Sequence, residues 1–178
     1  MSKLAHIFVA LSAMAAMGFA PASARAESVK DTGGYDATYT KRDMQPIPDQ
    51  EGHALMLIEA QGTAVSPGGP LDGFTVTERE TADLRQGNGP QQGYVIFEKG
   101  SDRLIVKFEG DVTTTMKDGK PNTTMKGTYA IAGATGALAG TQGEGNYSGY
   151  FTAEDKYRID WDGTRRVQKG AMLSPDEN

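Results

Sequence analysis

Past Asp31 the chain carries no stretch of helix length with an apolar stripe, and this property narrows its possible folds most. It carries instead a series of short runs in which apolar and polar residues alternate, each closed by glycine, proline, asparagine or aspartate. Alternation at period two is the pattern of a strand with one covered face. Gly73–Arg85 sets Phe74, Val76, Ala82 and Leu84 on one parity against Thr75, Thr77, Arg79, Thr81 and Asp83 on the other. In Arg103–Thr114, Leu104, Val106, Phe108 and Val112 oppose Arg103, Lys107, Glu109 and Asp111. Tyr157–Arg166 sets Tyr157, Ile159 and Trp161 against Arg158, Asp160 and Asp162.

Five further runs read the same way: Tyr35–Lys41, His53–Ala64, Tyr94–Lys99, Thr123–Ala132 and Gly140–Thr152. Between them lie turn segments, among them Ser66–Pro70, Gln86–Pro90, Gly100-Ser101-Asp102 and Lys117–Pro121. Glycine, proline, asparagine and aspartate supply the backbone angles that such turns need. One apolar face per strand and short connections favour an antiparallel meander. Eight twisted strands can close on themselves and so remove the edges that invite aggregation. The predicted fold class is all-β, an eight-stranded antiparallel up-and-down β-barrel; the spacing also fits a β-sandwich. Seven glycines fall between Gly127 and Tyr150, and in a barrel they would let strands coil sharply and turn within few residues.

The first 26 residues read as a secretory leader rather than as fold. Lys3 supplies the positive start, Ile7 to Phe19 the apolar run, and Ala24-Arg25-Ala26 a small-x-small cleavage site. The run is too short and wrongly flanked for a membrane span, and no cysteine follows it to carry a lipid. Cleavage after Ala26 leaves a single barrel domain over 27–172 and a polar tail over 173–178, in the periplasm or secreted. Loss of Lys3 and Arg25 makes the formal charge of −5 more acidic still, which speaks against nucleic acid as a partner. Without cysteine, stability must come from the core and the backbone ladder.

The segment "GTYAIAGATGALAGTQGEG", Gly127–Gly145, places Gly133, Thr135, Gly136, Leu138 and Gly140 between two strand candidates. This resembles the hairpin motif of the allene oxide cyclase and dirigent-protein families, and Gly110 with Asp111 fits the preceding spacing. The likeness covers the second half of the chain well and the first half by strand order. It implies an eight-stranded calycin-like barrel with an apolar cavity, often a homo-oligomer. Plant members guide cyclisation or coupling of hydrophobic molecules.

Glu59 is the sharpest candidate for chemistry. Leu55 and Leu57 share its parity while Ala54, Met56, Ile58 and Ala60 share the other, so either face of this strand could be the inner one. An inward Glu59 would lose hydration and its pKa would rise. "LIEAQ" is similar to the cyclase strand that carries a cavity glutamate followed by an amide, which implies those roles for Glu59 and Gln61. The competing reading makes Glu59 a rim or ion-paired carboxylate. Glu78 and Glu80 share a parity with Val76 and Ala82, and fit either a polar patch inside the barrel or a barrel end. Tyr94, Tyr157 and Trp161 are candidate lining residues, or plain core.

Other chemistries lack their residues. His53 is the one histidine after the leader, and with no cysteine it cannot build a zinc site. Asp160–Gly163 lacks the ligand spacing of a calcium loop, and no G-x-S-x-G elbow or phosphate loop is present. No metal and no cofactor are therefore expected. Three functions compete. The first is an exported barrel that binds a small hydrophobic molecule, without membrane insertion. The second is a cofactor-free isomerase or cyclase using Glu59, and the third a structural or adhesion protein using its outer surface.

Overall fold

The computed structural model describes residues 27–167, so the expected leader and the expected tail over 173–178 lie outside the described residues. Eight strands follow one another: β1 Glu27–Pro46, β2 His53–Val65, β3 Thr75–Arg85, β4 Gly89–Lys99, β5 Asp102–Lys117, β6 Lys120–Thr135, β7 Gln142–Phe151 and β8 Lys156–Val167. Each pairs antiparallel with the next, and β8 pairs with β1, so the sheet closes in a ring. This is the predicted barrel and not the sandwich. Among the described residues no helix is long and apolar enough to cross a membrane.

Closure requires the strands to tilt, and the pairing shows it. A circuit of paired residues runs Arg42, Ile58, Glu80, Gly93, Phe108, Tyr129, Gly145, Gly163 and returns to β1 at Asp31 rather than at Arg42. Two turns lie where their residues predicted. Asp118 and Gly119 both take positive φ, 51° and 72°, the two-residue hairpin geometry that matches strand twist. Gly136 has φ 65° at the start of a one-turn 3-10 helix, Gly136–Leu138, joining β6 to β7. Asp102 Oδ1 holds that turn by accepting from the Ala137 amide at 2.8 Å.

Several strands are longer than expected: β1 starts before Gly33-Gly34, and β4 starts at Gly89, inside the expected turn Gln86–Pro90, rather than at Tyr94. At Gly33 tertiary packing uses the missing side chain. A Cβ on Gly33 would collide with the Trp161 ring, its direct cross-strand neighbour.

The same device recurs through the stretch Gly127–Tyr150. Tyr147 lies across Gly127 and Gly110, and a Cβ on Gly127 would stand 2.7 Å from Tyr147 Cε1. Tyr129 lies across Gly145 and Gly163, where a Cβ on Gly145 would stand 2.8 Å from Tyr129 Cε1. Aromatic rings over bare strand backbone satisfy glycines that would otherwise weaken a sheet. So Gly136 serves a turn, as expected, while Gly127 and Gly145 make floor space for rings that cross the interior. Around them the core is aromatic: Tyr35 meets Phe97 edge-on at 6.2 Å, and Phe97 meets Trp161 at 5.7 Å. Such pairs contribute about 0.5–1.5 kcal/mol each beyond the area they bury.

Candidate functional site

Between these rings the barrel retains an axial cavity whose wall is mostly apolar, formed by side chains such as Val95, Phe97, Val106, Phe108 and Trp161. The space open to the centre of a water molecule is about 50 Å³. That is room for roughly three to five waters. The β2–β3 connection contributes Leu71 to the lining, itself only 3% exposed. Ser66 ties this connection to β1 by donating from Oγ to the Thr32 carbonyl at 3.1 Å.

Into this apolar wall β3 projects two carboxyls. Glu78 and Glu80 are 3% and 6% exposed. The alternation Val76, Glu78, Glu80, Ala82 puts all four on the inner face, and Ala60, the direct partner of Glu78 on β2, leaves the room beside it. Ring closure then brings β1 and β8 to Glu78. Tyr35 and Tyr157 each donate a hydroxyl to Glu78 Oε2 at 2.7 Å. Burial raises the pKa of Glu78, and the hydrogen bonds from the two tyrosines and from Glu80 oppose that rise. Glu80 is pushed well above the carboxylate range by burial, by the Glu78 charge and by their shared hydrogen bond. Two like charges this close do not both ionise, so the pair shares a proton and Glu80 donates it to Glu78.

Beside the pair, on β4, Gln91 is 3% exposed. Its Nε2 donates to Tyr147 Oη at 2.9 Å, while its Oε1 is buried with no partner. Burial pushes the Tyr147 hydroxyl up to about 12, against the lowering effect of the Gln91 bond. The polar end of the cavity thus consists of Glu78, whose Oε2 is held by two tyrosines and whose charge is shared with the protonated Glu80 behind it, and the free amide carbonyl of Gln91.

Four sequence candidates meet inside: Glu78, Glu80, Tyr157 and Trp161. Three do not. Glu59 stands on the outer face of β2, its side chain 40% exposed, with Oε2 4.0 Å from Arg79 Nε across the strand pair. Gln61 shares that exposed face, and Tyr94 on β4 is 47% exposed. The expectation of an interior catalytic Glu59 is therefore corrected. The inner parity of β2 belongs to Ala54, Ile58, Ala60 and Ala64, while Leu55 and Leu57 are each 45% exposed. Tyr35 and Glu78 are the direct cross-strand neighbours of Ala64 and Ala60, and the small side chains leave room for them. Tyr35, Gln91 and Tyr147 were missed as site residues. Tyr35 and Tyr147 carried a usable signal in their strand parity, but Gln91 lay between the expected turn Gln86–Pro90 and the strand expected from Tyr94.

His53 makes a separate cluster. Its Nδ1 meets Asp49 Oδ1, and its Nε2 lies 2.7 Å from Asp83 Oδ1. With a carboxylate at each nitrogen, both must donate, and the ring is an imidazolium that clips the β1–β2 turn to β3. The hydrogen bonds to Asp49 and then Asp83 raise its pKa. A raised folded pKa contributes stability that is full below the ordinary value of 6.5 and lost as pH rises through the folded value. The ring protons of His53 should therefore titrate above 6.5 by NMR, and His53→Gln should lose stability at pH 6 but little at high pH. Titration at or below 6.5 would remove the clip.

No protein-family model and no curated protein matches the chain. Among solved structures it is similar to a pterocarpan synthase dirigent protein, at 15% identity over 88% of this chain and 94% of that one, TM-score 0.46. A second pterocarpan synthase dirigent protein shares 13% identity over 81% of this chain and 97% of that one, TM-score 0.42. A protein of unknown function from the DUF3224 family of Shewanella oneidensis shares 14% identity over 77% of this chain and 96% of that one, TM-score 0.49. These likenesses assign no residue of the barrel a role, since one fold hosts many chemistries.

Proposed function

We propose that the chain is an exported barrel that binds one small, largely apolar molecule in its interior, with the Glu78–Glu80 pair and Gln91 at the molecule's polar end. The observation that carries this reading is the Gln91 Oε1 acceptor, buried beside an apolar cavity and lacking a donor. Leaving such a group unsatisfied costs about 1–3 kcal/mol, which a guest with a donor would recover. Export is supported by the charged start, the apolar run and the small-x-small site, and predicts Glu27 as the first residue of the processed protein.

Toluene is the appropriate probe because it is small, apolar and uncharged. Titrated into the protein, it should shift the Trp161 indole and Tyr147 ring signals, and Val106→Phe, which fills the cavity, should abolish the shifts. Equal shifts in a folded Val106→Phe protein, or none in the parent, would sink the cavity reading. Mass spectrometry of molecules retained by natively purified protein then identifies the physiological guest.

A second reading uses the same pair. An acid that keeps its proton beside a carboxylate is the arrangement a cofactor-free isomerisation needs. Binding is the better-supported reading because Glu78 Oε2 already accepts from two tyrosines. Turnover of a recovered guest that vanished in Glu80→Gln while binding persisted would reverse that preference.

A further inference from the structure

The end of the cavity away from Glu80 carries polar groups that neither the acid pair nor the strand ladder uses. Asp31 on β1 and Tyr129 on β6 both line it. In the circuit of paired residues only Gly145 and Gly163 separate them. With no side chains in between, the Tyr129 ring lies flat over both glycines, and its hydroxyl reaches the neighbour of Asp31. Arg165 stands on the inward parity of β8, its Nε 3.8 Å from Asp31 Oδ2, an ion-pair distance too long for a hydrogen bond. The two side chains are only 14% and 9% exposed.

The donors here have no acceptor. Tyr129 Oη and Arg165 Nε are buried without a hydrogen-bond partner. Burial, and then the charges of Asp31 and Asp162, push the Tyr129 hydroxyl up to about 12, so it stays a donor at any ordinary pH. Tyr129 and Asp31 line one space, with Arg165 beside Asp31, and a donor facing a carboxylate asks for a group that accepts and donates at once. It must also be uncharged. A guest carboxylate would face Asp31, and an ammonium would face Arg165, each in surroundings where like charges are costly.

We infer that Asp31 and Tyr129, with Arg165 paired to Asp31 beside them, form a second polar subsite that takes a neutral hydroxyl on the end of the guest remote from Glu80. The inference rests on the cavity reading above and narrows its ligand class to an apolar body ending in an uncharged hydroxyl. Acids and amines of the same size are excluded. Water is the competing occupant, since a hydroxyl-sized polar pocket satisfies water equally well.

Four probes on one skeleton separate the outcomes: toluene, benzyl alcohol, benzoate and benzylammonium, titrated into the purified protein and followed by NMR. Benzyl alcohol should bind about tenfold tighter than toluene, as two or three net hydrogen bonds would give, and both ions weaker than toluene. In Tyr129→Phe the alcohol-to-toluene ratio should fall to about one, while in Gln91→Leu it should persist. Tyr129→Phe removes an oxygen without a partner, so the fold is retained; Asp31→Asn serves as the second variant and should also lower the ratio. Toluene binding without an alcohol advantage would overturn the subsite alone and leave water as its occupant. An advantage that survives Tyr129→Phe and disappears in Gln91→Leu would place the hydroxyl at the other end and overturn it equally. If toluene itself does not bind, the cavity reading and the subsite fall together.

Discussion

Gly127→Ala should lose about 3 kcal/mol of stability, a large part of the roughly 5–15 kcal/mol that a domain of this kind holds. The added Cβ would overlap the Glu109 carbonyl oxygen, stand 2.6 Å from Gly110 Cα and 2.7 Å from Tyr147 Cε1. Two of those neighbours are backbone of the paired strand β5, which cannot swing aside as a side chain can. Relief means separating β5 from β6 or lifting the Tyr147 ring, which breaks the bond from Gln91 to Tyr147 Oη. Gly133→Ala, six residues along the same strand, is the control. Its nearest atom would be Ile105 Cδ1 at 4.0 Å, and its φ is not in the left-handed region, so its effect should stay within about 0.5 kcal/mol. Urea unfolding of the two variants checks the contrast. Equal midpoints would show that the rings do not need bare backbone beneath them.

Glu80→Gln should raise the melting temperature by several degrees at pH 8 and change it little near pH 4.5. The sign follows from proton binding. Glu80 keeps its proton in the folded barrel at a pH where the unfolded chain has released it. The folded state then holds more protons, so wild-type stability is full below the ordinary carboxylate value of 4.5 and falls as pH rises toward the folded pKa. Glutamine cannot ionise, and its amide still donates to Glu78, so this part of the pH dependence disappears. The His53 clip also weakens with rising pH, but it lies on the β1–β2 turn and is untouched by Glu80→Gln. Melting curves of wild type, Glu80→Gln and His53→Gln from pH 4.5 to 8 separate the two contributions. A wild-type curve that rises with pH, or a Gln variant that follows it unchanged, would mean the pair does not share a proton.

The residues alone specified the number of strands, most of their turns, and the inner face of β3, β5 and β8. These are local properties. A strand with charges on one parity and Val, Leu, Phe or Trp on the other has only one way to face a core, and Asp118-Gly119 has few backbone choices. Where both parities are apolar, as in Ala54–Ala60, the local signal is degenerate and leaves Glu59 open between the cavity and the rim. The tertiary structure decided that strand by volume. Tyr35 and Glu78 flank Ala64 and Ala60 across the sheet, so the alanines turn in and Leu55 with Leu57 turns out. It alone also decided the site. Glu78 takes hydroxyls from Tyr35 and Tyr157, 43 and 79 residues away in sequence, because closing the ring sets β8 beside β1. No window of sequence contains that meeting. Likewise the sequence expects Gly127 and Gly145 only to let strands coil, whereas across the sheet they face Tyr147 and Tyr129. Pairing register, set by closure and tilt, turned an absence of side chains into the floor of the cavity.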